Sequence, residues 1–80
     1  MLYTAKCFWP GATEATVRAA AARLEEGFRG ALYLRPDELV LCLLDAASPA
    51  DAKASSERVG LPCERVVDSI WVAPKTNREE

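Results

Sequence analysis

The stretch ALYLRPDELVLCLLD constrains the fold of this chain more than any other. It holds two apolar, strand-forming runs, residues 31–35 and 39–44, joined through Pro36-Asp37, which is a favoured turn pair. Two strands with so short a connection pair as an antiparallel hairpin. Residues 39–44 show no polar alternation, so we expect both faces of the second strand to be covered.

The residues before the hairpin predict a strand and then a helix. Residues 2–9 alternate as a strand with one buried face does, and Pro10-Gly11 ends the pattern. Thr13 is a good N-cap for the alanine-rich run EATVRAAAARLEEGF, which predicts a helix. The apolar positions with helical spacing in this run are Val17, Ala20, Ala21, Leu24 and Phe28.

The residues after the hairpin repeat this order. Ser48-Pro49 is a compact helix start, with Ser48 as N-cap and Asp51 as the acidic member of a capping box. Gly60 and Pro62 end that helix near Val59. The run RVVDSIWVA then predicts a last strand.

The predicted order is strand, helix, strand, strand, helix, strand. Right-handed crossovers around a hairpin give the α+β, ferredoxin-like split βαβ fold, a four-stranded antiparallel sheet with two helices on one face. The first and third strands are then central. We expect one domain over residues 1–74 and a polar tail over residues 75–80.

Composition narrows the class of protein. The 80 residues carry a formal net charge of −2, and their basic residues are scattered, so no nucleic-acid surface is expected. No stretch has the length of a signal peptide core or a membrane span, which predicts a soluble cytoplasmic protein that does not bind membranes. Three cysteines, an odd number, indicate reduced thiols. Histidine is absent, so the usual general base is missing.

A sheet with both helices on one face leaves its other face open. In this chain the open face would receive Phe8, alternate residues of the run 39–44 and one of the apolar sets near Trp71. Covering such side chains stabilises by ~1.5–3 kcal/mol each, comparable to the net stability of a domain this small. We therefore expect a homodimer packed through the open sheet face; the alternative is that this face only adds to a thin core.

The candidate chemistry is sparse. Cys7 and Cys42 fall on neighbouring strands and Cys63 in the loop before the last strand, but no CxxC motif or metal-site spacing joins them. Buried filler is therefore favoured over a joint thiol site. No nucleophile–base pair and no phosphate-binding glycine loop is visible, so no catalytic residue is predicted.

Large aromatic residues offer a place for a small-molecule ligand. Tyr3, Trp9 and Trp71 lie on or next to predicted strands and would line a pocket between the helices and the sheet. The alternative is that they form the core of a small domain.

The segment LCLLDAASPADAKASSERVGLPCERVV resembles a small bacterial family of ferredoxin-like domains of unknown function, some of whose members are labelled nickel-binding. The resemblance rests on the strand end Cys42–Ala46, the helix start Ser48-Pro49 and the helix exit Gly60-Leu61-Pro62, and it extends over residues 2 to about 72 with PGATEATVRAAAARL. It implies the ferredoxin-like fold and a dimer.

The resemblance also raises the question of a metal ion. Nickel sites with nitrogen and oxygen ligands use imidazole, and this chain has no histidine. If a metal binds, the remaining ligands are Cys7, Cys42 and Asp45, with Cys63 as a further candidate. That set suits a thiolate site; otherwise no cofactor is evident.

Three functions follow in order of preference. The first is a small dimeric, non-enzymatic binding or regulatory domain. The second is a metal-binding protein of the nickel-labelled type that uses Cys and Asp ligands. The third is a cofactor-free enzyme of the dimeric α+β barrel type, for which analogy of fold is the only support.

Overall fold

The computed structural model describes residues 1–24 and 26–74, and it confirms the predicted fold. The elements are β1 (Leu2–Phe8), α1 (Glu14–Ala22), β2 (Phe28–Leu34), β3 (Leu39–Asp45), α2 (Pro49–Arg58) and β4 (Cys63–Asp68), with a 3-10 turn at Arg35–Asp37. The four strands form one antiparallel sheet in the order β2-β3-β1-β4, so β1 and β3 are central as predicted. The predicted polar tail, residues 75–80, lies outside the described residues.

Helix α1 begins as predicted and ends earlier. The hydroxyl of Thr13 accepts a hydrogen bond from the amide of Thr16 at 3.2 Å, and the hydroxyl of Thr16 accepts one from the amide of Thr13 at 2.9 Å. This reciprocal pair is a capping box. The prediction that the helix continues to Phe28 is wrong, because Asp45 donates its amide to the carbonyl of Gly27 and pulls the chain into the sheet.

The β2–β3 hairpin closes as the Pro36-Asp37 pair predicts. After the 3-10 turn, Glu38 adopts a left-handed conformation with φ of 52°. Its carbonyl accepts a hydrogen bond from the amide of Trp9 at 2.8 Å, and its carboxylate accepts one from the amide of Gly11 at 3.0 Å. The hairpin turn therefore holds the end of β1 as well as its own strands.

Helix α2 and β4 complete the second half. The hydroxyl of Ser48 accepts a hydrogen bond from the amide of Asp51 at 3.1 Å, which confirms the predicted N-cap. Gly60 takes the left-handed exit at φ of 95°. The last strand is shorter than RVVDSIWVA predicts: β4 begins at Cys63 and ends at Asp68, and residues 69–74 have no regular structure.

Both helices pack on the same face of the sheet, which forms the core. From the strands this core takes Tyr3, Ala5, Cys7, Val40, Cys42, Leu44 and Cys63, and from the helices and their ends Val17, Ala20, Leu24, Ala52, Val59 and Leu61. Within the described residues, no helix has the length and apolar character needed to cross a membrane.

Candidate functional site

The three cysteines lie on the helix-covered face of the sheet, inside the core. Cys7 on β1 is the direct cross-strand partner of Cys63 on β4. Cys42 on β3 pairs with Ala5, which places it one step diagonally from Cys7 on the same face. All three thiols are buried and reduced. The structure thus brings the cysteines together as neighbours, including Cys63, which the sequence placed in a loop.

The surroundings of Cys7 and Cys42 keep these two thiols protonated. Burial, together with the nearby Cys63 and Cys42, which disfavour a second negative charge, raises the pKa of Cys7 to about 12. Burial also raises the pKa of Cys42 to about 11, with the same contribution from Cys63. Because the thiolate is both the nucleophile and the metal ligand, these side chains are poorly suited to either role near neutral pH.

Asp45 does not join the cysteines. It lies three residues after Cys42 on β3, and since strand side chains alternate, it belongs to the opposite face. The guanidinium of Arg29 donates to its carboxylate at 2.9 Å, and this hydrogen bond lowers the pKa of Asp45; the N-terminal ammonium, 3.5 Å away, acts in the same direction. The odd spacing from Cys42 was the sequence signal for this separation.

The predicted ligand set Cys7, Cys42 and Asp45 is therefore not assembled. In the part of the chain that the structure describes, no group of three or more His, Cys, Asp or Glu side chains is placed to hold a metal ion. The physical reason is the pleat of β3, which sends its thiol to the core and its carboxylate to the other face.

The three aromatic residues of the predicted pocket are also separated. Tyr3 is buried in the core, and Trp9 packs against that core while remaining partly exposed. Trp71 is 68% exposed and borders a different pocket beside Leu2 and Leu43, which neither Tyr3 nor Trp9 lines. The alternation that linked Trp71 to a strand ends when β4 stops at Asp68.

A groove between α1 and β2 is a place on the helix side where a small molecule fits. Its volume is about 390 Å³, and it lies where the short helix α1 leaves edge strand β2 incompletely covered. The lining residues are Glu14, Val17, Arg18, Ala21, Phe28, Ala31, Tyr33 and Arg35. It combines two aromatic rings with two guanidiniums, one of which, Arg18, is paired with Glu14 at 2.8 Å.

The opposite side of the sheet, which we call the open face, is rich in leucine. By alternation and strand register it consists of Leu2, Thr4, Lys6, Phe8, Leu32, Leu34, Leu39, Leu41, Leu43, Asp45, Arg65 and Val67. No element among the described residues covers it. The expectation that both faces of β3 are covered is not met within one copy, because Leu39, Leu41 and Leu43 are only half-buried.

The leucines of β1 and β2 were not among the residues expected on the open face, although the alternation within the hairpin assigns those of β2 to it. Leu32 and Leu34 alternate with Tyr33, and Tyr33 faces the helices, where its hydroxyl donates to the carbonyl of Ala12 at 2.7 Å. The same parity assigns both leucines to the open face. Leu32 is 62% exposed and Phe8 44%.

An exposed apolar segment follows β4. The amide of Ser69 still donates to the carbonyl of Leu2 at 3.0 Å, and its hydroxyl lies 2.6 Å from that of Thr4. Beyond this point Ile70 and Val72 are 87% and 81% exposed, with Trp71 between them. The segment thus leaves the sheet beside the open face, and Trp71 adds apolar surface next to Leu2 and Leu43.

Comparison with known proteins finds no matching family model, no matching curated protein and no matching solved structure. The resemblance to the nickel-labelled bacterial family therefore stays a prediction.

Proposed function

We propose that this chain is a small, non-enzymatic binding or regulatory domain that works as a homodimer, with the open face as its interface. The distribution of leucine carries this proposal. Six of the nine leucines of the chain belong to the open face, and each is half-buried or exposed. A strand pattern this apolar on the uncovered side is typical of a surface that is buried against a second layer.

The open face alone provides about half of the area that a second copy needs, and the segment after β4 adds to it. Four strands at about 4.8 Å and seven residues at about 3.4 Å give a footprint of roughly 450 Å². A partner in a standard interface contributes about 800 Å². The exposed side chain of Trp71 lies next to the face, beside Leu2 and Leu43, and supplies further apolar area, since a large aromatic side chain alone buries about 150–250 Å².

A ligand for such a domain has a place in the groove between α1 and β2. Phe28 and Tyr33 offer apolar and aromatic surface there, and Arg35 offers positive charge, whereas Arg18 is paired with Glu14. The ligand class we propose is a small aromatic anion. A thermal-shift screen of such compounds tests it, because a ligand at 100 times its dissociation constant adds about 2.7 kcal/mol of stability.

The metal-binding function of the nickel-labelled type has less support. The thiols of Cys7 and Cys42 are held protonated by burial, and within the described residues no group of three or more His, Cys, Asp or Glu side chains is placed to hold a metal ion. Elemental analysis of the purified protein, repeated on Cys42→Ala, tests this alternative. For a cofactor-free enzyme, fold analogy stays the only support.

The dimer is tested by mass in solution. Sedimentation equilibrium at micromolar concentration should give twice 8.7 kDa. Leu41→Lys and Leu32→Lys place a charge in the proposed interface and should raise the dimer dissociation constant about tenfold or more, since a charge is costly to bury unpaired. Ala54→Lys adds the same charge on the exposed side of α2 and should leave it unchanged.

Leu32→Lys distinguishes loss of the dimer from loss of the fold, because Leu32 is mostly exposed and its replacement leaves the monomer fold intact. Circular dichroism checks this. A monomeric mass for the unmodified chain, or equal dissociation constants for Leu32→Lys and Ala54→Lys, would remove the proposal.

A further inference from the structure

The open face has a pocket at one end of its central strands. The pocket has a volume of about 400 Å³ and is lined by Leu2, Arg29, Leu43, Asp45 and Trp71. Its apolar wall comes from the start of β1, the end of β3 and the indole of Trp71. The Arg29–Asp45 ion pair closes its polar side and satisfies both charges within the same copy. What the pocket lacks is an apolar side chain to fill it.

The other end of the same strand presents a side chain of suitable size. Phe8 is the last residue of β1 and pairs with Leu39, on the open face. It is 44% exposed, which is unusual for a phenylalanine on a central strand. Six residues separate it from Leu2, so the protruding ring and the pocket lie about 20 Å apart.

This arrangement is complementary to itself under one two-fold axis. An axis lying in the interface and running across the strands places β1 over β1 in opposite directions, with Leu2 of one copy over Phe8 of the other. Both rings then meet a pocket at the same time, which is the closed, isologous contact that two-fold symmetry requires. An axis parallel to the strands instead stacks pocket on pocket and leaves both unfilled.

The position of Lys6 agrees with the first orientation. Lys6 lies one step from the middle of β1, so the crossed axis places it over Thr4 of the second copy and not over its own symmetry mate. Its ammonium can reach solvent past the hydroxyl while its stem covers apolar surface. Leu41 meets Leu43 of the second copy, which keeps the centre of the interface apolar.

Resting on the dimer proposed above, we propose that Phe8 of each copy inserts into the Trp71 pocket of the other. Residue 71 is then an interface anchor, although it lies outside the sheet. The contact joins two aromatic rings across the interface, and such pairs are coupled beyond the area they bury.

A mixing experiment with two variants tests the contact. In the homodimer of Phe8→Ala, and equally in that of Trp71→Ala, both pockets lack one member of the pair. In the mixed dimer, one pocket lacks both members and the other is complete. Native mass spectrometry of the two variants, one of them labelled with ¹⁵N, should therefore show the mixed dimer above its statistical share, by about 2- to 10-fold for one aromatic pair.

The matched control mixes Phe8→Ala with Leu32→Ala, which removes an exposed apolar side chain of the same face away from both pockets. That mixture should be statistical. Both altered side chains are substantially exposed in one copy, so the variants fold, and circular dichroism confirms this.

The outcomes separate the two proposals. If the unmodified chain is monomeric, the dimer itself is wrong. If it is dimeric and the mixture of Phe8→Ala with Trp71→Ala is statistical, the dimer stands and the insertion of Phe8 beside Trp71 is wrong. An excess of mixed dimer equal to that of the control pair likewise overturns the insertion.

Discussion

Cys7 on β1 and Cys63 on β4 are direct cross-strand partners inside the core, and a bulge puts them there. Arg65 pairs with Lys6 on the open face, and Cys63, two residues earlier, would share that face in a regular strand. The register shift between Lys6 and Cys7 inserts Glu64 as an extra residue, which turns Cys63 to the helix side. Cys63 is therefore a buried residue of the core and not a loop residue.

The first prediction concerns thiol reactivity. Because all three cysteines are buried, a thiol-reactive disulfide reagent should label none of them in the native protein and all three after denaturation. The measurement is the absorbance of the released thiolate with time. Ala54→Cys provides an exposed thiol on α2 as positive control. A native cysteine that reacts as fast as this added one would contradict the burial.

The second prediction is a loss of stability in alkali. The pKa of Cys7 is raised from 9.0 in the unfolded reference to about 12 in the folded chain, so the unfolded state releases its proton first. The stability that the neutral thiol contributes is complete below pH 9 and falls as the pH rises towards 12. The slope for one proton is about 1.4 kcal/mol per pH unit at most.

Urea unfolding of the unmodified chain and of Cys7→Ala, from pH 7 to 11 with reductant present, measures this effect. The difference between the free energies of unfolding of the two proteins cancels the contribution from the titration of lysines and tyrosines. We expect the variant to be the less stable protein at pH 7 and to lose less stability in alkali. Parallel curves would show that the thiol of Cys7 titrates normally.

The third prediction concerns acid. The hydrogen bond from Arg29 lowers the pKa of Asp45, so the ionised carboxylate stabilises the folded state at neutral pH. That contribution is present above the ordinary pKa of an aspartate and disappears as the pH falls through the lowered folded pKa. Asp45→Asn should therefore be less stable than the unmodified chain at pH 7, and the difference should close in acid.

Thermal unfolding midpoints between pH 2 and 7 check this prediction, and Arg29→Met is the matched variant. It removes the other partner and should show the same closing difference. A constant gap between Asp45→Asn and the unmodified chain at all pH values would show that the ion pair contributes nothing that titrates.

The fourth prediction compares two glycines with nearly the same backbone angle. Gly27 has φ of 81° and Gly11 has φ of 80°, both in the left-handed region. A Cβ at Gly27 would overlap the backbone carbonyl of Asp45, whereas a Cβ at Gly11 meets no atom. Gly11→Ala should cost about 1–2 kcal/mol for the backbone alone, and Gly27→Ala about 1–3 kcal/mol more.

Chemical denaturation of both variants measures the difference, and Gly11→Ala serves as the control for backbone strain. Equal free energies of unfolding would mean that the start of β2 shifts away from Asp45 without cost.

Local signals explain why much of the fold follows from the sequence. The alternation in β1, the Pro36-Asp37 turn and the Ser48-Pro49 helix start each depend on residues within a few positions, and all three were predicted. The end of α1 and the end of β4 were not. Both depend on which strand lies alongside, as the hydrogen bond from Asp45 to Gly27 illustrates.

The candidate site divides in the same way. The alternation of side chains along a strand separates Cys42 from Asp45 and assigns Leu32 and Leu34 to the open face. This part of the site can therefore be predicted from the sequence. The pairing of Cys7 with Cys63 cannot be predicted in this way, because a bulge of one residue reverses the alternation of side chains and leaves no signal in the sequence.

By itself, then, the sequence determined the order of strands and helices, their caps and turns, and the apolar character of both sheet faces, since these depend on period and local chemistry. Only the tertiary structure decided which residues meet: the three thiols in the core, Asp45 with Arg29, and Trp71 beside Leu2 and Leu43. Register, bulges and strand ends are set by pairing between distant segments, and no local pattern encodes that pairing.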